Sequence, residues 1–160
     1  MDDFSSPDRS NQFGYVPSHP NFIVPGKRPL SSMSPIMVEN RHTGALELIV
    51  GSSGGSRIIT ANILTTYAYL SHHGQVSMDD VIARPRWHDQ LLPPVTVFEY
   101  PGAQTPGFDN ATVRALTAKG HQAAYTAPGL SNTQAIQHMH AGLWHEASER
   151  RQYEARGAAI

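Results

Sequence analysis

Between Leu46 and Ser71 the chain switches abruptly from one periodicity to another, and that switch limits the folds open to it more than any other feature. Leu46-Glu47-Leu48-Ile49-Val50 reads as a largely buried strand, Gly51-Ser52-Ser53-Gly54-Gly55 breaks it, and a helical pattern runs from Ser56 to Ser71. In that helix Ile59, Ile63, Tyr67 and Leu70 share one face, while Ile58, Ala61, Leu64 and Ala68 fill much of the rest. A strand and a helix this apolar must both be covered, so the expectation is a layered fold with the helix enclosed on most sides. The junction itself has chemical potential. Glycines let backbone approach a ligand closely, and the free N–H groups opening a helix suit a phosphate, a carboxylate or a developing oxyanion, although a tight turn needs no ligand at all. It is not a Walker loop, because the spacing and the lysine are missing.

The rest of the pattern supports an α+β arrangement rather than a doubly wound parallel sheet. Ile36-Met37-Val38-Glu39 forms a hairpin with the strand at Leu46, closed by a polar link from Asn40 to Gly44. Ser77 caps a short helix through Ala83, with Asp80 at capping-box spacing, and Pro85 stops it. Val95 to Glu99 alternates as a strand. A third helix runs from an Asp109 N-cap to Lys119, with Phe108 and Val113 spaced as a hydrophobic staple and Gly120 at its end. Two further strands, Thr133 to Met139 and Leu143 to Ala147, turn around Ala141-Gly142. By contrast residues 1–35 carry six prolines and no sustained period, a loop-rich length that is unusual unless it serves function.

Composition excludes several classes. With 12 basic and 13 acidic residues, the net charge of -1 offers no electrostatic footprint for a nucleic acid or an anionic membrane. There is no cysteine, which removes disulfides, thiolate metal sites and a Cys nucleophile. No apolar run approaches the roughly 18 residues of a membrane span, and the acidic start at Met1-Asp2-Asp3 does not read as a signal peptide. Nine histidines include His72-His73 and the pair His138 and His140, which would share a strand face, but no third ligand follows at diagnostic spacing. Trp87-His88-Asp89 reads as a packed turn after Pro85. Pro29-Leu30-Ser31-Ser32-Met33-Ser34-Pro35 brackets three hydroxyls in a turn, suited to a carboxylate or simply to capping itself. Neither G-x-S-x-G nor S-x-x-K is present to support a Ser31 or Ser32 nucleophile.

Taken in order, Met1-Asp2-Asp3-Phe4-Ser5, Gly26-Lys27-Arg28-Pro29-Leu30-Ser31-Ser32-Met33-Ser34-Pro35 and Gly51-Ser52-Ser53-Gly54-Gly55-Ser56-Arg57-Ile58-Ile59-Thr60 resemble the small subunit of γ-glutamyltranspeptidase, also called glutathione hydrolase. Ala83-Arg84-Pro85-Arg86-Trp87-His88 with Gln90 and Pro93, and Asn132-Thr133-Gln134-Ala135-Ile136, are similar to later pieces of that family. The resemblance covers nearly the whole chain, and it implies part of an αββα four-layer sandwich of the N-terminal-nucleophile hydrolase type. Residues 1–160 would form one partial small-subunit domain, with 1–35 as a substrate-site segment and 36–160 as sheet and helices.

Carried over by motif, Asp3 would bind the α-amino group of a γ-glutamyl substrate, Ser31 and Ser32 its α-carboxylate, and the backbone amides of Gly54 and Gly55 would form the oxyanion hole. The implied reaction transfers the γ-glutamyl group of glutathione to water or an amine through an enzyme ester, without metal or organic cofactor. The family's nucleophile is a threonine at the free N-terminus of the small subunit, and this sequence opens downstream of that position. The expectation is therefore a chain inactive alone, partnered by a large subunit and by the remainder of the small one, with no membrane contact of its own. Family members commonly work outside the cytoplasm. Two other readings remain at this stage: a non-catalytic module that binds γ-glutamyl compounds or glutamate, and a serine hydrolase using Ser31 or Ser32. The family's Ala-Ser-Asp-Pro-Arg is replaced here by Ala147-Ser148-Glu149-Arg150-Arg151, a difference that bears on a local turn.

Overall fold

The first hairpin is closed by Asn40, whose side-chain oxygen accepts from the N–H groups of His42 and Thr43 while its backbone N–H reaches Ala45 O at 2.8 Å. Gly44, at φ +70°, completes the turn. The computed structural model describes residues 4–103, 105–139, 142–152 and 155. The hairpin strands are β1 (Ile36–Glu39) and β2 (Leu46–Ser53), antiparallel with Ile36 opposite Val50 and Val38 opposite Leu48. β2 runs three residues beyond the expected end at Val50, because β6 (Asn132–His138) pairs along its whole end, Gly51 facing Gln134 and Ser52 facing Thr133. β7 (Trp144–Ala147) completes an antiparallel sheet in the order β1-β2-β6-β7.

A second sheet has the order β3-β4-β5. β3 (Trp87–His88) pairs antiparallel with β4 (Thr96–Glu99), and β4 pairs parallel with β5 (Ala123–Thr126) through the crossover helix α3 (Asn110–Ala118). Both β3 and β5 correct the sequence reading, which made Trp87-His88-Asp89 a turn and gave residues 123–126 no element. The remaining helices are α1 (Arg57–Ser71) and α2 (Met78–Ala83).

One face of the larger sheet carries Leu48, Val50, Ala135 and Ala147 into a core with Ala68 and Tyr69 of α1 and Met78, Val81 and Ile82 of α2. On its other face Met37, Ile49 and Ile136 stand in one cross-strand row, with Met37 67% and Ile136 38% exposed. α1 buries Ile58, Ala61, Asn62, Thr65, Ala68 and Tyr69, but Ile59, Ile63, Tyr67 and Leu70 are 46–71% exposed. The helix is thus covered on one side only within this chain, against the expectation of near-complete enclosure.

Helix ends follow local chemistry unevenly. The Asp109 carboxylate accepts from Thr112 N at 2.8 Å and caps α3, Val113 is buried, and Gly120 at φ +99° ends the helix. Ser77 caps α2 only with its carbonyl, and its side chain makes no cap bond, so the capping-box pairing with Asp80 does not form. Residues 4–35 are irregular apart from a 3₁₀ turn at His19–Asn21. They are tied to themselves by Ser5 N to Asn21 O at 3.2 Å and by Lys27 Nζ to Pro20 O at 2.7 Å.

Candidate functional site: the glycine junction and its walls

The end of β2 and the start of α1 are pinned by side chains rather than by apolar packing. Ser52 Oγ donates to Asn62 Oδ1 at 2.6 Å and lies 2.8 Å from Thr133 Oγ1, while Asn62, 1% exposed, donates to Ser34 O. Between these fixed points the chain passes through Gly54 at φ +130° and Gly55 at φ +63°, backbone that L side chains rarely adopt. Space excludes a side chain as well. A Cβ on Gly55 would lie 2.0 Å from the Phe13 ring, and one on Gly54 would lie 3.1 Å from Leu130 O. The N–H groups of Gly54 and Gly55 donate to no described residue. They border a cavity of about 380 Å³ lined also by Gln12, Phe13, Arg57 and the loop Gly129–Asn132.

Phe13 is held as the cavity's outer wall by Gln90. Gln90 Nε2 donates to Phe13 O at 2.6 Å and Leu92 O at 3.0 Å, which turns its Oε1 toward Ser56 Oγ (2.9 Å) and His88 Nε2 (2.8 Å). An acceptor facing His88 Nε2 places a proton on that nitrogen, and Nδ1 lies 2.9 Å from Thr60 Oγ1, which donates to Arg57 O at 3.1 Å. His88 is 6% exposed, so this chain ties the N-terminal segment to the first turn of α1 with little solvent access.

The opposite wall rests on four buried charges. Arg86 Nη1 lies 2.7 Å from Glu149 Oε2, Arg151 Nη1 3.0 Å from Glu149 Oε1, and Arg151 Nη2 2.7 Å from Glu99 Oε2, every one of these side chains at most 5% exposed. The tetrad is neutral overall, and it saturates its lone pairs and protons on backbone. Glu99 accepts from the N–H groups of Arg86, Gly129 and Leu130, Glu149 from Thr133, and Arg86 donates to Ser131 O. Burial pushes the Glu99 carboxyl up, but donation from Arg151, Gly129 and Arg86 outweighs it and holds the group below the usual carboxylate range. Burial pulls the Arg86 guanidinium down, opposed chiefly by Glu149. The loop Gly129–Ser131 is therefore fixed by charge, and it forms the floor on which Gly54 sits.

Of the residues singled out from sequence, Gly54 and Gly55 meet at this cavity. Ser31 and Ser32 precede β1 at the same end of the sheet, with Ser31 Oγ accepting from Met33 N at 3.2 Å, but neither lines the cavity. Asp3 and His140 lie outside the described residues. His138 packs on Trp144 with ring centroids 4.9 Å apart, and His72 Nε2 lies 3.0 Å from Arg84 Nη2. Sequence reasoning missed Phe13, the role of Gln90 and the tetrad. The stretch Ala147-Ser148-Glu149-Arg150-Arg151, read as a matter for a local turn, differs from the family at Glu149 and Arg150, and its Glu149 and Arg151 supply two of the four buried charges.

The family described as Gamma-glutamyltranspeptidase matches residues 1–159. The glutathione hydrolase proenzyme of Arthroderma benhamiae is 36% identical over 160 residues, all of this chain but 26% of that protein, so the chain spans about a quarter of its relative's length. Among solved structures, a point mutant of Helicobacter pylori γ-glutamyltranspeptidase superposes with TM-score 0.80 at 32% identity, covering 95% of this chain and 78% of the other. The Pseudomonas nitroreducens γ-glutamyltranspeptidase complexed with L-DON gives TM-score 0.78 at 34% identity, covering 100% and 78%. With the match running from end to end, the chain belongs to the γ-glutamyltranspeptidase family.

Proposed function

We propose that this chain supplies the oxyanion-stabilising and γ-glutamyl-binding part of a γ-glutamyltransferase of the glutathione hydrolase type. In the proposed reaction a threonine hydroxyl from outside these residues attacks the γ-carbonyl of the substrate. The amides of Gly54 and Gly55 hold the resulting oxyanion, and the C–N bond breaks as the departing amine takes the proton. Water or another amine then releases the γ-glutamyl group from the threonine ester. Ser31 and Ser32 bind the α-carboxylate and Asp3 the α-ammonium group, each by the complementary charge or donor.

The observation that carries this reading is the glycine junction: two amides without a described partner, in a backbone that only glycine tolerates, at the edge of a cavity of suitable size. The exposed rows support the rest. Met37, Ile49 and Ile136 on the sheet, and Ile59, Ile63, Tyr67 and Leu70 on α1, are surfaces for the further layers of an αββα sandwich. We assign the α1 face to the large subunit, since relatives are proenzymes about four times this length.

The test is hydrolysis of a γ-glutamyl anilide by the 160-residue chain and by a form extended upstream through the family's threonine. Aniline release by the extended form alone is the expected result. Turnover by the short chain would overturn the assignment of the nucleophile and direct attention to Ser31 and Ser32.

A further inference from the structure

Arg57 stands out among the arginines near the site because nothing among the described residues neutralises it. Arg86 and Arg151 are each held by two or more partners, whereas the Arg57 side chain makes no ion pair and no hydrogen bond among the described residues. It is half-buried and lines the same cavity as Gly54 and Gly55. The other lining residues are Gln12, Phe13, Gly129, Leu130, Ser131 and Asn132, so among the described residues the cavity holds one positive charge and no carboxylate. A partly desolvated guanidinium with no counter-charge favours an anionic ligand, and its planar fork matches a carboxylate.

We infer that Arg57 recognises a carboxylate on the leaving side of the substrate, making γ-glutamyl peptides with a free C-terminal carboxylate the preferred class. This rests on the function proposed above and deepens it. Ser31 and Ser32, assigned to the glutamyl end, do not line the cavity, which leaves the cavity for what lies beyond the scissile bond. A two-residue leaving group in extended form spans about 7 Å, and about 380 Å³ falls within the roughly 300–1,000 Å³ typical of small-ligand pockets. The carboxylate at the far end of such a dipeptide is then offered to Arg57, while its near-end nitrogen is bonded to the γ-carbonyl that faces Gly54 and Gly55.

The experiment uses the full-length protein carrying this segment and measures kcat and KM for glutathione, for glutathione with its C-terminal carboxylate converted to an amide, and for γ-glutamyl anilide. The wild type is expected to prefer glutathione over its amide. In Arg57→Gln, kcat/KM for glutathione should fall about 10- to 100-fold further than for the other two substrates, mainly through KM, the scale of one lost charge-assisted contact. Arg57→Lys should recover part of that difference. Equal losses on all three substrates would overturn the inference, since Arg57 would then serve the glutamyl end or the fold. A wild type that hydrolyses all three but ignores the carboxylate would overturn it too, leaving the functional reading intact. If the wild type hydrolyses none of them, the functional reading fails and this inference falls with it.

Discussion

Replacing Glu99 by Gln keeps the shape of the tetrad and removes one of its two negative charges. The carboxylate now takes Arg151 Nε and Nη2 and the N–H groups of Arg86, Gly129 and Leu130. An amide would turn its NH₂ against one set of these donors, and Arg86 and Arg151 would face Glu149 alone in a fully buried cluster. Removing one partner of a buried ion pair costs about 3–5 kcal/mol. At about 2–4 °C per kcal/mol for a chain of this size, the thermal midpoint should fall by roughly 6–20 °C. Thermal unfolding followed by circular dichroism reads this directly. The pH dependence supplies an independent check. The Glu99 pKa is held below its unfolded value of 4.5, so its stabilisation is complete above that pH and is lost as the pH falls through the folded value. The gap between wild type and Glu99→Gln should therefore be widest near neutrality and close below pH 4.5. Combining Glu99→Gln with Arg151→Met removes the uncompensated cation and should recover part of the loss. A single-variant cost under about 1 kcal/mol, or a gap constant from neutral to acid pH, would refute the claim that the charges are mutually dependent.

Gly55→Ala brings a Cβ to within 2.0 Å of Phe13 at φ +63°. It is expected to lower kcat for γ-glutamyl anilide by about 10²- to 10³-fold in the full-length protein, the scale of one lost oxyanion donor; a wild-type kcat would remove the Gly55 amide from that role. Ile63→Lys places a charge in the exposed row of α1 and should abolish co-purification with the large subunit, while the far-UV spectrum of the chain stays unchanged. Undiminished recovery of the pair would assign that face to something else.

Much of the fold was legible because local signals were strong. Asn40 and Gly44 marked the hairpin, Asp109 and Gly120 bounded α3, and the pattern from Ser56 to Ser71 gave α1 nearly to the residue. β3 and β5 were not legible. β3 has two residues, too few for any period, and Ala123-Ala124-Tyr125-Thr126 earns its place by parallel pairing to β4, a non-local interaction. Residue chemistry misled in a consistent direction at the site. Glu99, Glu149, Arg86 and Arg151 carry charges that sequence statistics place at the surface, yet all four are buried because each finds its partner across 52 or more positions of chain or on a neighbouring loop. The apolar stripe of α1 misled the opposite way: periodicity shows that a face must be covered, and not which chain covers it.

The glycine junction and the tetrad are parts of one construction. Gly54 has no side chain, so Leu130 and Ser131 can approach its backbone, and those residues are where the tetrad attaches, through Glu99 to Leu130 N and Arg86 to Ser131 O. An apolar cluster could supply comparable stability at that position. It could not fix the direction of several backbone N–H and carbonyl groups at once, which four charged side chains with fork geometry can do. The charges also join the end of β4 in one sheet to the segment after β7 in the other. Any relative movement of the sheets must then disturb the loop beneath Gly54. It follows that substitutions in the tetrad should alter catalysis even though none of its side chains lines the cavity, and that their effect on kcat should scale with displacement of Leu130 and Ser131 rather than with the charge removed.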